Sequence, residues 1–193
     1  NQSSKRIESY YNNDYTGKTA DSYFIDEQVI SFKNYFFTGV PNQNTSSQQF
    51  SEYADGEGFG RWIWSNQPEF KIDLPNVYSN GPNAKFEVLA FSANHNTSEI
   101  SNGYNHEFSL SLNNKSNTLA SKKTFGYQRV KLNASIDPNE FNQTNSLYIG
   151  EKSFNQSAFV LSYIKYSYPK ILDLNNKSQH LVRSNFSSSF FSF

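Results

Sequence analysis

The sequence predicts an all-β domain, a two-sheet antiparallel sandwich that is jelly-roll-like, and three observations carry that prediction. Aromatic residues make up 17% of the 193 residues, nearly all of them Phe and Tyr, and aromatic side chains pack well on a pleated surface. Asn and Ser fill most gaps between the apolar runs. Both favour turns by bonding their own backbone. Several apolar runs alternate residue by residue, which gives a strand one buried face and one wet face.

The elements follow in chain order. Residues 1–52 read as an irregular N-terminal segment with one or two strands, packed on or leading into the sandwich, with Pro41 to Gln49 as a surface loop. Ala54-Asp55-Gly56-Glu57-Gly58-Phe59-Gly60 reads as a solvated, glycine-rich loop entering the Trp62–Trp64 strand, although its glycines would equally allow a close backbone approach. Phe70, Ile72 and Leu74 alternate with Glu69, Lys71 and Asp73 as a half-buried strand. Ser79-Asn80-Gly81-Pro82-Asn83 carries the punctuation of a tight loop. Lys85 to Phe91 is more continuously apolar and suits a strand covered on both faces.

Phe108, Leu110 and Leu112 alternate with Glu107, Ser109 and Ser111, and Asn113 to Asn117 follows as a hairpin loop. Tyr127 to Leu132 points Val130 and Leu132 one way. Asp137-Pro138-Asn139-Glu140 opens a single helical turn, with Asp137 as N-cap and Pro138 at the first position. Gln156 to Tyr168 is the longest strand, and its apolar phase shifts near Ser162. A bulge, or a strand crossing between two packed sheets, produces such a shift. Residues 53–180 thus form the sandwich core, and 181–193 a C-terminal strand or the start of a link to a following domain. Phe186, Phe190 and Phe191 supply the surface on which that domain would dock, so the natural chain is expected to continue. No fixed-period repeat points to a solenoid, and the Cys-Trp-Cys pattern of an immunoglobulin domain is missing.

Composition excludes several functions. Seventeen Lys and Arg balance seventeen Asp and Glu, so the basic excess of a nucleic-acid binder is absent. No cysteine occurs, which removes disulfides, thiolate metal sites and cysteine nucleophiles. The apolar runs fall far short of the ~20 residues of a membrane helix. No signal-peptide pattern opens the chain, so it reads as a mature or excised piece. His95, His106 and His180 never stand at ligand spacing, and no Gly-x-Ser-x-Gly elbow marks a nucleophile. This chain is expected to carry no catalytic residue of its own.

Two constellations remain. Asp55 and Glu57 are the candidates for a structural Ca²⁺ site built from carboxylate and backbone oxygens, against the plainer reading of a solvated loop. Trp62 and Trp64 share one face of a strand. With Tyr53 they could form a flat platform on which sugar rings stack, or either could anchor the core. Tyr163, Tyr166 and Tyr168 read as sheet-packing and edge residues. Asn-x-Ser/Thr triplets at Asn44, Asn96, Asn114, Asn133 and Asn142 follow mainly from the richness in Asn and Ser.

The order of the motifs resembles the N-terminal module that precedes the peptidase domain of gingipain-type cysteine peptidases, including the sortase-like signal peptidase of bacterial type IX secretion. The resemblance rests on Tyr10-Tyr11, Gly60-Arg61-Trp62-Ile63-Trp64, Leu74-Pro75 and Gly81-Pro82-Asn83-Ala84, followed by the strand Phe108 to Asn113. Its most specific part is Leu161-Ser162-Tyr163-Ile164-Lys165-Tyr166-Ser167-Tyr168-Pro169-Lys170-Ile171-Leu172, similar to a Leu-Asp-Tyr-Ile-x-x-x-Tyr-Pro-Arg-x-Leu ending. Ser162 replaces the usual Asp and Lys170 the usual Arg, which puts an ion pair between those groups in doubt. The resemblance implies a non-catalytic accessory domain whose partners are peptidase domains of the same natural chain, secretion-system proteins or secreted substrates. It also implies export in a Bacteroidetes-type bacterium to the outer membrane surface or beyond. The alternative is a carbohydrate-binding jelly-roll module using Trp62 and Trp64.

Overall fold

A computed structural model describes residues 22–39, 57–64, 67–93, 103–104, 106–151 and 158–171. It contains ten strands: β1 (Tyr23–Ser31), β2 (Tyr35–Thr38), β3 (Glu57–Trp64), β4 (Glu69–Ile72), β5 (Ala84–Ser92), β6 (His106–Leu112), β7 (Thr118–Thr124), β8 (Arg129–Ile136), β9 (Asn145–Glu151) and β10 (Ala158–Ile171). They form two antiparallel sheets, one in the order β2-β3-β10-β5-β8 with β1 also on β10, the other β4-β9-β6-β7. From β3 onward the chain changes sheet at every step except the β6–β7 hairpin. The result is an all-β, jelly-roll-like sandwich.

The strongest alternations became strands where the periodicity placed them: β4, β6 and β8 each send every second side chain into the space between the sheets. β5, read as covered on both faces, alternates instead: Phe86, Val88 and Ala90 point inward, while Lys85 on its outer face is exposed. The Pro138 turn is a short 3₁₀ segment, and the Asp137 carboxylate accepts the Asn139 backbone N–H at 2.9 Å. That bond is also the main reason the Asp137 carboxyl sits below its usual range. Asn113 to Asn117 closes the β6–β7 hairpin. The phase shift near Ser162 is a bulge: β10 slips by one residue against β5 between Leu161 and Tyr163.

The core between the sheets joins Val88, Ala90, Phe159, Leu161 and Ile164 of the larger sheet to Phe108, Leu110, Leu147 and Ile149 of the smaller. Phe108 and Phe159 meet edge to face across it, with ring centroids 5.8 Å apart. Four strands were not located by periodicity. β7 is largely polar, and β9 alternates too briefly to stand out. β1 and β2 come from the segment read as irregular with one or two strands, and both are hydrogen-bonded members of the larger sheet.

β1 is held to β10 by more than its ladder. Lys170 Nζ lies 3.1 Å from Asp26 Oδ2, and both side chains are buried. Tyr168 donates its hydroxyl to the same oxygen at 3.1 Å. Burial, then the Asp26 charge, pushes the Tyr168 phenol far above its ordinary value. Lys170 pairs with Asp26 from 144 residues away, while Ser162 lies at the bulge.

Candidate functional site

The outer face of the larger sheet, turned away from the smaller one, carries a second apolar cluster. Alternation along β3 places Gly58, Gly60, Trp62 and Trp64 on that face. Trp62 stands opposite Val160 and Trp64 opposite Ala158. Beyond β10, Phe91 continues the row from Val160. On the other side, Phe37 faces Gly58 and Tyr35 faces Gly60. A Cβ at Gly58 would stand 2.4 Å from the Phe91 ring, and one at Gly60 2.5 Å from a Val160 methyl. The glycines let those neighbours lie flat against the strand. Glu57 to Gly60 is thus part of β3, which corrects the reading of this stretch as a solvated loop.

The cluster buries Phe37, Phe91, Ala93, Ala158 and Val160, with Trp62, Leu89 and Tyr127 packed half-buried around it. Trp62 sits at its centre. Tyr35 and Phe37 meet it edge-on at 5.4 and 5.7 Å. Trp64 lies beside it at 5.8 Å and is 68% exposed. Among the described residues no second sheet covers this end.

Towards the other end of β5 and β10 the same face becomes polar, row by row. Tyr163 and Lys131 flank Leu89, then Lys165 and Asn133 flank Glu87, then Ser167 and Ser135 flank Lys85. Glu87 accepts the Tyr163 hydroxyl at 2.5 Å and pairs with Lys131 at 2.8 Å. The Lys131 hydrogen bond, and after it that of Tyr163, holds the Glu87 carboxyl below its usual range. Burial first, and Glu87 second, pushes the Tyr163 phenol up to about 12. Lys165 pairs with Glu27 of β1 at 2.9 Å. Glu27, Lys85, Glu87, Asn133, Ser135, Lys165 and Ser167 border an open groove of about 670 Å³, and Tyr163 and Lys131 stand just outside it.

The structure thus brings Trp62 and Trp64 together, while their predicted companion Tyr53 lies outside the described residues. Glu57 opens β3 opposite Thr38, and Asp55 lies outside the described residues. Among the described residues no three His, Asp or Glu side chains converge to hold a metal ion. His106 begins β6, buried beside Phe108; His95 and His180 lie outside the described residues. So do Phe186, Phe190 and Phe191. Tyr166 and Tyr168 pack in the inner core as expected, whereas Tyr163 points to the outer face. Sequence reasoning missed Tyr35, Phe37, Phe91 and Tyr127 as parts of the aromatic face. The run Tyr35-Phe36-Phe37 was a usable signal for a strand, but nothing local showed that it would lie beside Trp62.

Neither a family profile nor a curated protein sequence matches the chain. Among solved structures, the chain is similar to the CBM36-1 domain of a multidomain xylanase from the hindgut metagenome of Trinervitermes trinervoides. That match has 12% identity and a TM-score of 0.39, and covers 73% of this chain and 96% of that one. It is also similar to the carbohydrate-binding module CBM36 in complex with calcium and xylotriose. There the identity is 12% and the TM-score 0.36, with 72% of this chain and 98% of that one covered. Likenesses at this level carry no argument about function.

Proposed function

We propose that the domain binds carbohydrate on the outer face of its larger sheet. The observation that carries this reading is Trp64, 68% exposed and seated 5.8 Å from the half-buried Trp62. Trp62, gripped by Tyr35 and Phe37, cannot turn freely. It steadies a neighbour whose indole face is left open. A sugar ring has an apolar face of C–H groups and a rim of hydroxyls. It would stack on the indole, with the polar groups further along the same face left for additional sugar units. Stacking needs no catalytic group, and the ligand would leave unchanged.

A glycan array followed by calorimetry tests the reading. The wild-type domain should bind a defined glycan, and Trp64→Ala should abolish that binding while the thermal midpoint stays close to wild type. Equal binding by Trp64→Ala would remove the proposal.

A second reading keeps the accessory-domain role implied by the peptidase resemblance. Phe36 and Phe59 pair across β2 and β3 on the side opposite the tryptophans, 47% and 58% exposed, with ring centroids 4.9 Å apart. A neighbouring domain of the same natural chain could cover such an apolar pair. Hydrogen exchange comparing this domain with a longer natural chain should then show added protection at β2 and β3. Identical exchange in both would rule out docking there.

A further inference from the structure

The aromatic platform and the polar groove lie on one face of the same sheet, and the register shows how they are placed. From the row of Trp62, Val160 and Phe91, the outer face proceeds along β5 and β10 through Leu89 and Tyr163, then Glu87 and Lys165, to Lys85 and Ser167. At roughly 3.3 Å per residue, Val160 to Ser167 spans on the order of 20 Å. β1 supplies one border with Glu27, and β8 the other with Asn133 and Ser135.

We infer that the ligand is an extended, uncharged oligosaccharide laid along β5 and β10, with one sugar on Trp64 and further units in the groove bordered by Glu27, Glu87, Asn133, Ser135, Lys165 and Ser167. This inference rests on the carbohydrate reading and adds the chain length and charge class of the ligand. The groove's groups are amides, hydroxyls and ions, the partners that recognise a run of sugar hydroxyls. Its lining charges balance, Glu27 and Glu87 against Lys85 and Lys165, and both acids are paired: Glu27 with Lys165, and Glu87 with Lys131 just outside the groove. An acid already paired with a base keeps its hydrogen-bonding capacity but selects weakly for a charged sugar. The Tyr163–Glu87–Lys131 bridge stands at the end of the groove that faces the aromatic cluster, one row beyond Val160 and Phe91. An isolated platform would need none of this beyond its rim.

The test is a length series by calorimetry, using neutral gluco-, manno- and xylo-oligosaccharides from disaccharide to hexasaccharide. Affinity should climb with length in at least one series. Asn133→Ala with Ser135→Ala, both at exposed strand positions, should weaken the hexasaccharide about threefold to tenfold, as expected for one or two lost hydrogen bonds. The same double variant should leave the disaccharide unchanged, and Trp64→Ala should weaken both. Affinity independent of length, or equal losses for short and long chains, would overturn the groove inference while leaving the platform standing. Tighter binding of a uronic-acid oligosaccharide than of the neutral one would overturn the charge assignment. No binding by any series would remove the groove inference and the carbohydrate reading together.

Discussion

The two faces of the larger sheet are built from the same strands, and both carry apolar and aromatic clusters, yet they end in different states. On β10, Phe159 and Leu161 point inward and are fully buried beneath the second sheet. Val160, between them, points outward and is buried as well, but under the outer aromatic cluster with Trp62 and Phe91 opposite it and no strand layer above them among the described residues. The inner face is completed by Phe108, Leu110, Leu147 and Ile149 from the facing sheet. The outer face has no facing sheet among the described residues, and its aromatic cluster thins out towards Trp64. An apolar group is stabilising in proportion to the area it removes from water. The inner aromatics therefore act on folding, and the outer ones retain surface that a ligand can still bury.

The largest effect should come from the inner face. Phe159→Ala removes a ring that is 0% exposed and meets Phe108 edge to face. It should lower stability by about 3–5 kcal/mol in urea unfolding. On the outer face Trp64→Ala, which deletes a ring of similar kind, should cost about 1 kcal/mol or less. Equal losses at the two positions would mean that the faces do not divide the work in this way.

The smallest effect belongs to the polar end of the outer face. The folded Glu87 carboxyl lies below its ordinary value of 4.5, chiefly through the Lys131 hydrogen bond. Its contribution is fully present above 4.5 and fades as the pH falls through the lower folded value. Both partners are partly exposed, at 29% and 51%, so solvent screening limits that contribution to roughly 0.5 kcal/mol. Glu87→Gln should therefore reduce stability slightly near neutrality, with the gap from wild type closing in acid. A gap that widened in acid would contradict the pairing.

Much of the fold was legible locally. Phe108, Leu110 and Leu112 announced β6 by alternation, and Asp137-Pro138 announced its turn by capping chemistry. The slip at Ser162 showed as a break in apolar phase. The candidate site was half legible. Trp62 and Trp64 were visible as a same-face pair, but the same spacing suits a core anchor and a platform alike. Glu57-Gly58-Phe59-Gly60 looked like a loop because glycine favours loops. Its real reason lies in Phe91 and Val160, far away in the chain.

What the sequence by itself determined, then, is the all-β class, the positions of the strongly alternating strands and the aromatic pair on β3. These depend on periodicity and turn chemistry, which act within a few residues. Only the tertiary structure decided that β1 joins β10 through Asp26 and Lys170, and that Tyr35 and Phe37 brace Trp62. It also decided that Trp64 is left open on the same face of the sheet as a polar groove. Each of these depends on which distant strands pair and which face the second sheet covers, and burial is a property of that assembly, not of the residue.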